Sequence, residues 1–420
     1  MTEDRDACAP TAEEERLLDR IADAEAAMIA RVKDWAAINS GSANREGLER
    51  MRGPIAEAFA DLGGSVDLVA LPPGEVVDPD GTVRAVDYAP AIRVRMRPEA
   101  PLQVALTGHY DTVFPADSPF QESRAIDADR LGGPGVADMK GGLIVMREAL
   151  VTLERSPHAA NLGWEVLISP DEEIGSPGSR TALADLGARA HVGMTYEPAL
   201  PDGALAGARK GSGNFALLIH GRAAHAGREH HLGRNAIAAA ARFAADLDAL
   251  NGGFEGVTFN VAKIDGGGAV NVVPDLAVCR FYVRLPTEAA MAWAEAEIAR
   301  LVAEVEESDG ITAVLKGGIT RGPKPMAPAN RALFDFTCAA GRTLGLDMVW
   351  RDTGGVCEGN NLWAAGCPNV DTLGVRGGGV HSVDEFVVLA SFVERARLSA
   401  LMLMKMASGA FDARALREMP

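Results

Sequence analysis

Apolar residues recur at spacings of three and four near the start of the chain: Leu17, Ile21, Ala24, Met28, Val32 and Trp35. That spacing lays them on one face of a helix. Thr11 stands before it as a cap, with Glu14 three residues on to complete a capping box, and Ser40-Gly41-Ser42 ends it. The pattern predicts a second helix over 44–62, stopped by Gly63-Gly64. Short apolar runs at 66–71, 91–96 and 102–106 read as strands, and 72–87, rich in Pro, Gly and Asp, as a loop. Helical spacing returns over 139–153. The runs 164–169 and 192–196 are almost wholly apolar, as central strands covered on both faces are, with a short helix over 181–186 between them. Alternating strands and helices predict an α/β layer fold whose ligands bind at the carboxyl ends of strands.

The texture changes near residue 208. A strand at 215–219, a helix at 235–250, strands at 256–264 and 276–283, a helix at 288–305 and a strand at 312–315 follow in order. This β-α-β-β-α-β sequence is that of a small ferredoxin-like α+β sandwich. It carries no carboxylate cluster. We therefore expect 208–321 to be an insertion into a discontinuous catalytic domain, residues 1–207 and 322–420. After Gly322-Pro323 and Pro325 the α/β texture resumes: a helix over 330–344, another from about 360, a strand at 370–373 and a terminal helix.

Charge and composition narrow the function classes. The 420 residues carry a net charge of −17, which argues against general nucleic-acid binding. The apolar run 387–406 is broken by Glu394, Arg395 and Arg397 and reads as an amphipathic helix, not a membrane span. The acidic start, MTEDRDACAPTAEEE, has neither the basic region nor the apolar core of a signal peptide. Five cysteines without a CxxC pair read as reduced thiols, hence a cytoplasmic protein. Cys357, in TGGVCEGN, is either a small buried residue or a thiol near a site.

The chemistry-bearing residues sit where apolar runs end. His109 and Asp111 alternate after a strand, so both can face one site: His109 as a ligand held by Asp111, or a solvated His in a polar turn. Asp138 is wrapped by glycines 132, 133, 135, 141 and 142, which would let backbone approach an ion; it could equally cap the next helix. Glu172 and Glu173 would point to opposite sides of an extended segment, one binding metal and one activating a water, or belong with Asp171 to a solvated acidic run. Glu197, in TYEP, and His381, in GGGVHS, lie at the ends of later runs. Buried carboxylates need partners. Zinc takes His nitrogen and carboxylate oxygen, and one carboxylate can bridge two ions about 3.5–4 Å apart.

Taken in order, His-x-Asp, the Gly-flanked Asp, Glu-Glu-x-Gly, Glu-Pro and the late Gly-rich His resemble the signature of the co-catalytic zinc aminoacylase and carboxypeptidase family. That family includes desuccinylases, acetylornithine deacetylases and aminoacylases, and the chain most resembles its bacterial glutamate carboxypeptidases. The resemblance runs from about residue 20 to 410 and implies a mixed-sheet, zinc-exopeptidase-like catalytic domain with the inserted unit as a dimerisation lid. It implies that His109 and Glu197 hold one zinc, Glu173 and His381 the other, that Asp138 bridges them along with a water or hydroxide, and that the Asp138–Met139 peptide bond is cis. Cobalt or manganese could replace zinc. Glu172 would be the general base. His225, in GRAAHAG, would cross a homodimer interface to polarise the scissile carbonyl. Asn271, in GGGAVNVVP, would bind substrate or simply make a turn. Arg321, in TRGP, would grip a substrate carboxylate with its planar fork, or be a solvated surface charge. His230 and His231 read as surface residues. Two departures bear on substrate identity: Met139 stands where some relatives have Asp, and Glu358 where several have Asp. The implied activity is hydrolysis of an amide or peptide bond beside a free carboxylate, releasing a C-terminal amino acid. An N-acyl-amino-acid deacylase and a catalytically silent peptide-binding relative are the alternatives.

Overall fold

The strand Leu102–His109 lies at the heart of the molecule, buried at nearly every position. In the computed structural model, which describes residues 8–419, it belongs to a six-stranded sheet. The first residues of the acidic N-terminal stretch lie outside the described residues. The strands run in the order Ser65–Val69, Ala91–Met96, Leu162–Ser169, Leu102–His109, Val192–Thr195, Asn369–Val370. The first three pair antiparallel and the rest parallel, so the sheet is mixed.

Alternation sets which side chains face which layer. Val104, Leu106, Val166 and Ile168 join the main core, formed with the N-terminal helices, Lys140–Leu153 and Ser391–Ser408. Ala105 and Leu167, one residue out of step, pack on the opposite face against Leu183, Leu186 and Leu362. A second large core draws only on residues 215–319. There the antiparallel sheet Thr258–Gly266, Leu276–Leu285, Gly211–His220, Thr312–Arg321 is covered by the helices Ala236–Ala249 and Glu288–Glu306. Among the described residues no helix is long and apolar enough to cross a membrane.

Two local expectations need correction. The first helix is two, Ala12–Asp23 and Glu25–Ala36, because the Ala24 amide bonds back to Ile21 in a tight turn. The apolar stripe continues across the break, so both halves pack on the same core. The capping box is present: the Thr11 hydroxyl accepts from the Glu14 amide, and the Glu14 carboxylate from the Thr11 amide at 2.7 Å. Residues 72–87 are not simply a loop but hold a hairpin, Gly74–Val77 with Val83–Val86. It has little core of its own. It leans on the second sheet, where the Val77 carbonyl accepts from Arg280 and Glu75 pairs with Lys316 at 2.8 Å. Composition alone does not reveal such borrowed support.

The helix Lys140–Leu153 lies so close to the segment after Val192–Thr195 that a Cβ on Gly142 would fall 2.0 Å from the Tyr196 carbonyl oxygen. Only glycine allows this approach. Gly142→Ala should therefore cost roughly 1–3 kcal/mol, as overpacking in a close-packed core does. A urea melt of this variant reads the loss directly; an unchanged midpoint would contradict the close approach.

Candidate active site

The parallel strands end side by side. His109 stands opposite Ser169, and Thr107 opposite Thr195. Their carboxyl ends therefore deliver His109, the turn after Ser169 and Glu197 to one place. Asp138 reaches it from the glycine loop before the helix Lys140–Leu153, and His381 from the loop after Gly377–Gly378. His381 has φ +62°, a backbone state rare for a non-glycine residue. The Asp138–Met139 peptide bond is cis.

Asp138 divides its carboxylate between the two imidazoles. Oδ1 lies 3.2 Å from His109 Nε2, and Oδ2 3.4 Å from His381 Nε2. Each histidine has a further carboxylate: Glu197 at 3.8 Å from His109 Nε2, and Glu173 at 3.2 Å from His381 Nε2. Ligand atoms of His109, Asp138 and Glu173 lie within 4.8 Å of one another, as do those of His109, Glu172 and Glu197. Glu172 and Glu173 sit in a single 3-10 turn, Glu172–Ile174, not in an extended segment. Successive residues of such a turn are about 120° apart, so the two carboxylates diverge while both stay at the cluster.

Two carboxylates hold this arrangement from behind. Asp111 lies against His109 Nδ1 at 3.3 Å and accepts from the amides of Glu172 at 3.1 Å and Glu173 at 3.2 Å. Ser42, from the end of the first helical pair, donates to it at 2.7 Å. Glu385 accepts from the amides of Gly135, Ala137 and Asp138 at 2.9–3.0 Å and so pins the glycine loop. Sequence reasoning missed both Ser42 and Glu385. Ser42 reads only as a helix terminator, and Glu385 stands alone in VDEF with no motif around it.

The charges call for a cation. Burial, with the charge of Asp138 next, pushes the Glu173 carboxyl up to about 8. Burial likewise pushes Glu197 to about 7 and Glu385 to about 7. Burial works against a charged His109, yet its hydrogen bonds to Asp111, Asp138 and Glu197 raise it well above its ordinary value. Hydrogen bonds to Asp138 and Glu173 raise His381 to about 11. Glu197 keeps a buried Oε1 with no hydrogen-bond partner. Imidazole nitrogens and carboxylate oxygens with an unspent acceptor suit zinc and similar divalent ions.

Of the remaining candidates only Arg321 touches the cluster. Arg321 is buried, and its Nη2 donates to the Glu172 carbonyl at 3.1 Å and Ser176 Oγ at 2.6 Å, and pairs with Glu172 Oε1 at 2.8 Å. It is no solvated charge. His225 and Asn271 are exposed and adjacent: the short strands Ala224–His225 and Val272–Val273 pair, and the Asn271 carbonyl accepts from Ala226 at 2.9 Å. His225 Nδ1 accepts from the Gly227 and Arg228 amides at 3.1 and 3.2 Å. That places the neutral ring's proton on Nε2 as an outward donor. Cys357 is buried and its thiol is pushed up by burial, which leaves it unreactive. Glu358 is buried too and accepts from Ser169.

A mixed α/β sheet with a His–carboxylate cluster at its strand ends defines a metal-dependent hydrolase. The model of Peptidase family M20/M25/M40 matches residues 105–405, and the chain belongs to that family. It is 28% identical over 317 residues to carboxypeptidase G2 of Pseudomonas sp. (strain RS-16), covering 72% of this chain and 74% of the relative. To the succinyl-diaminopimelate desuccinylase of Gluconobacter oxydans it is 29% identical, covering 70% and 79%. Among solved structures, the M20 metallo-carboxypeptidase of Sulfolobus solfataricus superposes with a TM-score of 0.68 at 16% identity, over 91% of this chain and 99% of the other. Human carnosine dipeptidase 1 does so with 0.69 at 17% identity, over 94% and 100%.

The loop contact generates a prediction. Glu385→Gln has one amide oxygen to serve three backbone donors. Outer contacts of this kind are typically worth roughly 10- to 100-fold in metal affinity. A chelator competition should show a loss of that size for the variant, and wild-type affinity would mean the loop holds Asp138 without Glu385.

Proposed function

We propose that this chain is a two-zinc amidohydrolase that cleaves an amide or peptide bond beside a free carboxylate and releases a C-terminal amino acid, as a glutamate carboxypeptidase does. One observation carries the reading: Asp138 presents one oxygen to His109 and the other to His381, and each histidine has its own additional carboxylate. His109, Glu197 and Asp138 would hold one ion; His381, Glu173 and Asp138 the second. When bound, such a pair polarises a carbonyl and lowers the pKa of water. Cobalt or manganese could serve in place of zinc.

The chain's own residues supply the rest. Asp111 holds the His109 ring, so its Nε2 faces the site. Glu172 takes a proton from the attacking water at its carboxylate and returns it to the leaving amine nitrogen. Arg321 pairs with Glu172 and would also meet an incoming substrate carboxylate, and Asn271 is our second substrate contact. The partner's His225, with its proton on Nε2, would donate to the scissile carbonyl across a homodimer formed by the 208–321 unit. The buried thiols of Cys279, Cys338, Cys357 and Cys367 fit a cytoplasmic location. The similarity to a desuccinylase favours N-acyl-amino-acid deacylation as the second reading. A silent peptide-binding relative is disfavoured by the complete cluster.

Three measurements test this. Metal analysis after reconstitution with zinc should give about two ions per chain, since the donors exceed one tetrahedral set; a ratio near zero with chelator-insensitive activity would overturn the reading. Glu172→Gln should keep its metal and lose roughly 10²- to 10⁴-fold in kcat on a panel of dipeptides and N-acyl amino acids. Mixing His225→Ala with Glu172→Gln should restore about a quarter of wild-type activity, because about half the dimers are mixed and each has one intact site. No recovery in subunits shown to exchange would put His225 outside the partner's reaction.

A further inference from the structure

The chain crosses between its two large cores twice, once around Arg209 and once around Lys324. The crossings are bound to each other and to a single carboxylate. The Arg209 amide donates to the Lys324 carbonyl at 2.8 Å, and the Lys324 amide to the Arg209 carbonyl at 2.9 Å. Both side chains converge on Asp371, just past the edge strand Asn369–Val370. Arg209 meets it with two nitrogens, Nε at 2.9 Å and Nη2 at 2.8 Å, and Lys324 Nζ at 2.5 Å. Lys324 Nζ also donates to Asn369 Oδ1 at 3.1 Å. Asn360 repeats the arrangement beside them: its Nδ2 donates to the carbonyls of Lys210 at 3.0 Å and Gly322 at 2.7 Å, one on each crossing. Asp371 and Lys324 are fully buried.

This knot lies three residues from Arg321, which touches Glu172. We propose that Asp371 is a positioning residue: by binding both crossings at once, it fixes where Arg321 meets Glu172. The proposal rests on the reading of Glu172 as the proton carrier. A guanidinium delivered from a loosely tethered connection would not stay within hydrogen-bond range of one carboxylate. A buried ion pair holds only with accurate geometry and satisfied neighbours. Two cations against one carboxylate, with Asn369 Oδ1 accepting a further hydrogen bond from Lys324, meet that condition, and both crossings must then move as one unit.

Removing Asp371 itself would strand two buried cations and risk unfolding. Lys324→Met is the better probe. It keeps an unbranched stem beside the Phe334 ring and leaves the Arg209–Asp371 pair whole. Hydrogen exchange on the metal-free, full-length variant should quicken roughly tenfold at the Gly175 and Ser176 amides, by local opening, while Ser391–Ser408 keeps its protection. On a substrate of the wild type, kcat should fall roughly tenfold, within the roughly 10²-fold that misplacement by about 1 Å can cause, and KM should rise with it, because Arg321 would also meet the substrate carboxylate. In an Arg321→Ala background, Lys324→Met should cause no further loss of kcat, since residues acting through one contact are not additive. Equal losses in both backgrounds, or unchanged exchange at 175–176, would overturn the proposal. Absence of any hydrolysis by the wild type would refute the functional reading alone, because the exchange experiment needs neither metal nor substrate.

Discussion

Everything in the catalytic half is arranged around one carboxylate shared by two imidazoles. Asp138 can face His109 and His381 together only if its loop is held rigidly, and three backbone amides of that loop end on Glu385. It also requires His109 to stand where a central strand ends, with parallel neighbours ending level beside it. The alternating packing of those strands between two helical layers keeps those ends in register.

Burying so many carboxylates together is costly unless positive charge arrives. Burial pushes Glu173 and Glu197 upward, while the two imidazoles hold Asp138 down against its burial, so the group is one that could hold a metal ion. An ion bound only by the folded chain would stabilise it by mass action.

The second core is not a passenger. It returns Arg321 to Glu172, and its outer sheet receives the hairpin at 74–86 from the other half. The strand-end cluster is therefore touched by an element whose own interior contains none of it. The buried contacts at the crossings are what allow a connection made of single strands to place a side chain accurately.

Much of this was legible in the chain itself. Strand and helix periodicity announced the α/β layers and the β-α-β-β-α-β unit, because side-chain alternation and helical spacing are local properties. Order and glycine context singled out His109, Asp111, Asp138, Glu172, Glu173, Glu197 and His381, which the fold brings to one place. Glu385, Ser42 and the hairpin at 74–86 were not legible, nor was the partnership of Arg209, Lys324 and Asp371. Each acts through contacts between residues far apart in sequence, and a lone polar residue carries no sign of what it will meet. Local spacing and residue type were enough to mark which residues could carry chemistry and which layers would form. Which carboxylates gather at the histidines, and which hold backbone or cations, emerges only on packing, because burial and distance make that choice and neither exists in the extended chain.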